Sequence, residues 1–329
     1  MKNYFEKLIW VFAFAFLFIN GGCTKDEVNP SQPPNPVIAK PDTLATGWKK
    51  IIVDSTAAFS DIFFNSSTNG YLAGKKLYHS TDGGLTWAVV ANKAVDNLAV
   101  TGDGKVFLVN MMDTLIARSI DGGATFSNFS SYGSKGFDVF FIDNDNGYYL
   151  TISGLFVTSN GGVNWTRTDI PGVYFPSSWS SLFFTGTNDG IILTNQEVYK
   201  LNGSLTNWTK SSFPGPVRSF SFQAVFISPD RSIYVTTLSG ELYKSTNGGV
   251  SFTLLKTFPV RPGPFCDVHF VNNNTGYISA GNRIYKTTDA GNTWNTEVAL
   301  GNALLVEVHF TDAGHGWACG TNGTVIVFK

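Results

Sequence analysis

Asp61, Asp138, Asp267 and Glu307 each stand immediately before a short apolar run: Ile62-Phe63-Phe64, Val139-Phe140-Phe141, Val268-His269-Phe270 and Val308-His309-Phe310. Acids repeated at one register of a repeated unit converge on a shared axis. Such a ring of carboxylates at a channel mouth could attract a cation or a basic partner. The alternative, favoured by the residue context, is that each carboxylate caps backbone N–H groups of a neighbour. His269 and His309 fill the slot held elsewhere by Phe63, Phe140, Phe183 and Phe226, so packing is expected of them rather than ligation.

A second group of residues could bind rather than react. Three segments, Thr168 to Ser180, Ser211 to Gln223 and Lys256 to Phe265, carry Tyr174, Trp179, Phe213, Arg218, Phe258 and Arg261 among several prolines. Stiff loops bearing Trp, Tyr and Arg bind at low entropic cost, so these six residues are the candidate surface for a glycan or an extended peptide. The competing reading is that the aromatics fold inward and seal their own loops. Asp143-Asn144-Asp145-Asn146-Gly147 has some features of a calcium loop, but its glycine comes one place early and no Glu follows at the required distance. No Ser/His/Asp grouping, phosphate loop or Cys/His cluster is visible. Neither catalytic residues, a metal nor a cofactor is therefore expected.

Both groups depend on a repeated phrase, seen most fully in Tyr78-His79-Ser80-Thr81-Asp82-Gly83-Gly84-Leu85-Thr86-Trp87. Its acid or amide recurs as Asp82, Asp121, Asn160, Asn202, Asn247 and Asp289, at intervals of 39, 39, 42, 45 and 42 residues. An aromatic follows each copy: Trp87, Phe126, Trp165, Trp208, Phe252 and Trp294. A period near forty means one supersecondary unit used repeatedly. Apolar, β-rich runs flank each copy, so it reads as a hairpin turn. The Asp or Asn accepts turn N–H groups, the glycines supply positive φ, and the aromatic fills the gap between sheets. These twelve residues are expected to be structural.

A second hairpin alternates with the first, its apolar runs starting at Ile62, Leu98, Val139, Leu182, Val225, Val268 and Val308. Seven units of four strands predict an all-β, seven-bladed β-propeller, which leaves only short sheet edges. The seventh unit lacks a fourth strand. The segment Trp48-Lys49-Lys50-Ile51-Ile52-Val53 is expected to supply it and close the ring. In such blades the first and third turns share one face, so the three candidate loops lie opposite the Asp phrases.

The phrase Ser-x-Asp-x-Gly-x-Thr-Trp resembles the Asp-box, or BNR, repeat. Gly314-His315-Gly316-Trp317-Ala318-Cys319-Gly320, together with Tyr285 to Trp294, resembles the photosystem II assembly factor type of seven-bladed propeller. The resemblance covers Trp48 to Lys329 and implies architecture more than biology. Asp-box propellers include sialidases, yet the arginine motif of that family is not matched. The first arginine, Arg118, falls in the second unit, and Val260-Arg261-Pro262 comes too late.

The N-terminus has a different character. Lys2 and Lys7 flank an apolar run from Leu8 to Ile19, shorter than the roughly 20 residues that span a bilayer. Gly21-Gly22-Cys23 follows, which makes residues 1–22 a signal peptide and resembles a bacterial lipoprotein acylated at Cys23. Residues 23–46 read as a Pro-rich linker reaching about 70 Å at ~3.1 Å per residue, and 47–329 as the propeller. With 14% charged residues and a net charge of -1, no basic stripe is available for nucleic acid. Cys266 and Cys319 are expected as two buried thiols, with a disulfide the alternative in an exported chain. The chain thus reads as an outer-membrane or cell-surface lipoprotein whose propeller binds or scaffolds a protein or glycan. The alternative is a glycan-active hydrolase, for which two acids about 5–10 Å apart would be needed.

Overall fold

The computed structural model describes residues 41–329 except 113, 131–134, 171–179, 195–196, 215–221 and 260–265. Seven antiparallel sheets stand in a ring, each inner strand lying beside the next and that of blade 7 beside that of blade 1. Blade 1 runs outward through Phe59–Phe64, Gly70–Gly74, Leu77–Ser80 and Ala88–Ala91. The inner strands of blades 2 to 6 are Asn97–Val100, Gly136–Phe141, Ser181–Gly186, Phe222–Ile227 and Cys266–Phe270. Blade 7 comprises Leu305–Asp312, His315–Gly320, Thr324–Phe328 and, on the outside, Trp48–Ile52. Trp48 faces Phe328 and Ile52 faces Thr324, so the segment near residue 50 closes the ring as its sequence predicts.

One feature was not foreseen in the sequence. Thr43–Leu44 adds a fifth strand to blade 6, with Thr43 opposite Ala299 and Leu44 opposite Val298. Asp42 fixes its start: one carboxylate oxygen accepts the Gly301 N–H and the other the Lys50 ammonium, both at 2.8 Å. This pairing covers part of an edge that would otherwise present unpaired backbone groups.

A buried apolar cluster fills each of the seven junctions between blades. Its recurring element is the aromatic near the end of the inner strand. Phe64 stacks on Trp317 of blade 7 at 3.7 Å, and Phe184 on Tyr148 of blade 3 at 3.6 Å. The Asp-phrase aromatics meet the same rings edge-on, Trp87 at 5.8 Å from Phe64 and Trp208 at 6.3 Å from Phe184. Such pairs add about 0.5–1.5 kcal/mol beyond the area they bury. They also dictate glycine on the facing strand. A Cβ on Gly70 or Gly190 would lie 2.4 Å from the ring of Phe64 or Phe184 respectively.

The two ends of the ring are built differently. At one end the Asp-phrase turn rests on the inner hairpin of its own blade. There Gly83 N–H donates to Thr68 O and Gly161 N–H to Asp145 O, each at 2.9 Å. At the other end the second turns receive the interblade segments. Val95 N–H reaches Gly74 O, Phe258 N–H reaches Gly240 O and Leu300 N–H reaches Asn282 O, each at 2.8 Å.

Candidate functional site

The four acids share one level of the central channel. Asp61, Asp138 and Glu307 each follow a register shift on the inner strand, a local kink that re-aims side chains. Asp61 Oδ2 accepts the Leu98 N–H at 2.7 Å. Asp138 Oδ2 accepts the Leu182 N–H at 2.9 Å and the Ser181 hydroxyl at 3.0 Å. Asp267 Oδ2 accepts the Val308 N–H at 3.0 Å. Every one of these bonds crosses to the next blade, so the carboxyls stitch junctions 1/2, 3/4 and 6/7. Glu307 stands at the same level on the inner strand of blade 7, which lies beside that of blade 1.

Asp61 and Asp138 are buried, while Asp267 and Glu307 retain some accessible surface. Desolvation pushes Asp61 up to about 6 and Asp138 and Asp267 up to about 7, against the pull of their N–H donors. Glu307 goes well above the usual carboxylate range, through desolvation first and then the charges of Asp61 and Asp267. A cation-attracting ring needs ionised acids. This level takes up charge only as pH rises through about 6 for Asp61 and about 7 for Asp138 and Asp267.

The next level along the inner strands is aromatic. Phe140 and Phe183 lie 5.1 Å apart, Phe183 and Phe226 5.2 Å, Phe226 and His269 4.7 Å, and His309 and Phe63 4.8 Å. His269 and His309 meet edge to face at 5.5 Å. His309 Nε2 lies 2.9 Å from Phe64 O. A carbonyl only accepts, so that nitrogen carries the hydrogen. Burial lowers His309 to about 4 and His269 well below its ordinary value. Both are neutral rings in a packed tier. Among the described residues no group of three or more His, Cys, Asp or Glu could hold a metal ion.

The Asp-phrase turns form a second set of carboxylates with opposite behaviour. Asp82 Oδ1 accepts the N–H groups of Leu85 and Thr86 at 3.0 and 2.9 Å, and Oδ2 accepts the Thr86 hydroxyl at 2.6 Å. Ser80 donates its hydroxyl to Asp82 at 2.9 Å and accepts the Gly84 N–H at 2.8 Å. Asp121, Asn160, Asn247 and Asp289 repeat the bond to the N–H four residues on. Asn202 departs: with one residue inserted, its amide donates to Thr209 Oγ1 at 2.6 Å instead. Some desolvation works upward on Asp82, but the bonds from Thr86, Ser80 and Leu85 outweigh it and bring it down to about 2. Hydrogen bonds from Thr125 and Ser119 bring Asp121 to the same value. The indoles of Trp87, Trp208 and Trp294 donate to Gly84 O, Leu205 O and Gly291 O.

Of the six loop candidates, Tyr174, Trp179, Arg218 and Arg261 lie outside the described residues. Phe213 is half-buried, stacked on Phe252 at 4.7 Å with its edge toward Tyr243. Phe258 is buried against Tyr285 and Trp294. The Phe258 ring seals junction 5/6, so as a ligand contact that residue is corrected to a core residue. Cys319 is a free, buried thiol, which removes the disulfide alternative with Cys266. Cys23 lies outside the described residues.

No protein-family model and no curated protein sequence matches this chain. Solved structures do. A structure of "YCF48 bound to D1 peptide" is 17% identical with a TM-score of 0.70, covering 90% of this chain and 99% of that one. YCF48 from Cyanidioschyzon merolae is 21% identical at TM-score 0.68, covering 86% and 98%. A catalytically inactive virginiamycin B lyase from Staphylococcus aureus with quinupristin is 12% identical at 0.69, covering 85% and 98%. At these identities the likeness is one of fold.

Proposed function

We propose that this chain is a lipoprotein of the outer membrane or cell surface, acylated at Cys23, whose propeller is a non-catalytic scaffold for a protein partner. The observation that carries this reading is where the acids go. Asp61, Asp138 and Asp267 bond to backbone N–H groups of neighbouring blades, and the Asp-phrase oxygens bond to their own turns. That leaves the interblade face, with Tyr174, Trp179, Arg218 and Arg261 in its connecting segments, as the binding surface of the proposal. The bound peptide of the first YCF48 structure supports a protein ligand over a glycan. The repeated turns support assignment to the Asp-box class.

Two experiments test the two halves. Fatty-acid labelling of the full chain is expected to vanish in Cys23→Ser, together with membrane fractionation. Labelling that persists refutes the anchor. For the scaffold, the triple variant Trp179→Ala, Arg218→Ala and Arg261→Ala is expected to lose capture of an extended peptide on an array at unchanged melting temperature. Undiminished capture refutes the surface, and capture of glycans alone replaces the protein partner with a glycan.

A further inference from the structure

Two grooves on the Asp-phrase face have similar size and different chemistry. One, of about 580 Å³ at junction 5/6, is lined by Pro229, residues 271–275 and Thr288, none of them charged. The other, of about 540 Å³, lies at junction 1/2. Blade 1 gives it Tyr71, His79 and Val90, and blade 2 gives it Asp103, Ile120 and Asp121. Asp121 is exposed and, ionising at about 2, is an anion at neutral pH. Neutral donors of its own turn hold that charge and do not cancel it. Lys105 offsets the charge of Asp103 in part, but its ammonium also reaches Asn144 O of blade 3 at 3.3 Å. Beside the acids, Ile120 is 70% exposed, more than any other large apolar side chain among the described residues.

The molecule itself shows how such a junction holds an ammonium. At junction 5/6 the Tyr234 hydroxyl donates to Ala290 O, the residue after the Asp-phrase acid of blade 6, at 3.2 Å. Lys244, paired with Tyr234 across the strands, lays its Nζ over that ring at 5.1 Å and donates to the same carbonyl at 3.3 Å. Blade 6 repeats the pair, with Lys286 Nζ 5.5 Å from the Tyr277 ring. At junction 1/2 the tyrosine and the carbonyl recur, Tyr71 donating to Gly122 O at 2.8 Å. The residue paired with Tyr71, however, is His79, stacked on it at 4.5 Å. Asn69 gives its amide nitrogen to Asn65 Oδ1 and its oxygen to His79 Nε2 at 2.7 Å. That ring nitrogen therefore carries the hydrogen, and Nδ1 is the acceptor of the ring. Burial lowers His79 below its ordinary value, so it adds no positive charge at neutral pH. Blade 1 thus keeps the frame of a lysine site, faces two acids, and supplies no lysine.

We propose that the groove between blades 1 and 2 receives a lysine or arginine side chain of a protein partner, its cationic head between Asp103 and Asp121 and its aliphatic stem along Ile120 and Val90. Charge complementarity selects the head, and the exposed aliphatic wall selects a long stem over a bare ion. The site lies on the face opposite the loop surface proposed above. It adds a second contact and stands whether or not that surface binds.

The test is a methyl-resonance titration of the full chain at neutral pH with Nα-acetyl-lysine amide, Nα-acetyl-arginine amide and the neutral Nα-acetyl-glutamine amide. The basic probes are expected to shift Ile120 and Val90 and to leave Val271 of the uncharged groove unmoved. The glutamine probe is expected to bind roughly tenfold more weakly. Equal binding of the three probes overturns the proposal, as does a shift at Val271 equal to that at Ile120. Two variants read the same site. Asp121→Asn keeps the turn, since Asn160 and Asn247 hold that place in blades 3 and 5, and is expected to weaken the basic probes roughly fivefold. His79→Lys supplies the ammonium that blades 5 and 6 carry and is expected to abolish the shifts. Basic probes that bind either variant as they bind the unmodified chain overturn the proposal. The comparison of probes on the unmodified chain decides alone if a variant does not fold.

Discussion

Two sets of carboxyl groups in this ring share a side-chain chemistry and differ in nearly everything else. Asp82 and Asp121 sit in open turns, surrounded by hydroxyl and N–H donors, and ionise at about 2. Asp138 and Asp267 sit along the channel, each bonded to one backbone N–H of the next blade, and ionise at about 7. Donors that favour the charged form dominate in the first set and desolvation in the second. The lesson is that surroundings rather than residue type decide which form each carboxyl takes. One set is saturated as anions. The other is consumed as neutral or half-neutral stitching between blades.

The largest expected effect tests whether the turns matter through their aromatics rather than their acids. Trp165 is 8% exposed and meets Phe141 and Tyr149 near 6 Å. Trp165→Ala is expected to cost about 3–5 kcal/mol in denaturant unfolding. A cost equal to that of an acid substitution would erase the distinction. Next comes Asp138→Ala, which leaves the Leu182 N–H and Ser181 hydroxyl without their acceptor. It is expected to cost roughly 1–3 kcal/mol at pH 5, and less at pH 8, where the wild type must bury a charge. A cost that grows from pH 5 to 8 would reverse the assignment.

Asp82→Ala carries the opposite sign. Its stabilisation is present above the ordinary value of 3.8 and is lost as pH falls through about 2. The expected penalty near neutrality is about 1 kcal/mol, and melts should show it closing in strong acid. The smallest effect belongs to Asp42→Ala. It releases a partly exposed ion pair with Lys50 and should cost below about 1 kcal/mol, read as faster exchange at Val298 and Ala299.

How much of this could be read from the sequence follows the same division. Period and alternation are long-range regularities, so the seven sheets and the closing strand near Trp48 were legible. So was the acceptor role of Asp82, because the spacing to Thr86 suits a turn. Thr43–Leu44 was not, since two residues carry no pattern and owe their pairing to the edge of blade 6. The level shared by Asp61 and Glu307 joins residues far apart in the chain, and only the circular arrangement sets their strands side by side. Phe258 was ambiguous because an aromatic in a Pro-rich stretch reads alike whether it turns in or out. Its backbone bond to Gly240 and the ring of Tyr285 decide the matter.

The most direct test is a carbon-13 titration of aspartate and glutamate carboxyl groups in the full chain from pH 2 to 9. The account requires Asp61, Asp138 and Asp267 to titrate near 6 to 7, Glu307 to titrate higher, and Asp82 and Asp121 to titrate near 2. Channel carboxyls that all titrate near 4 would contradict it.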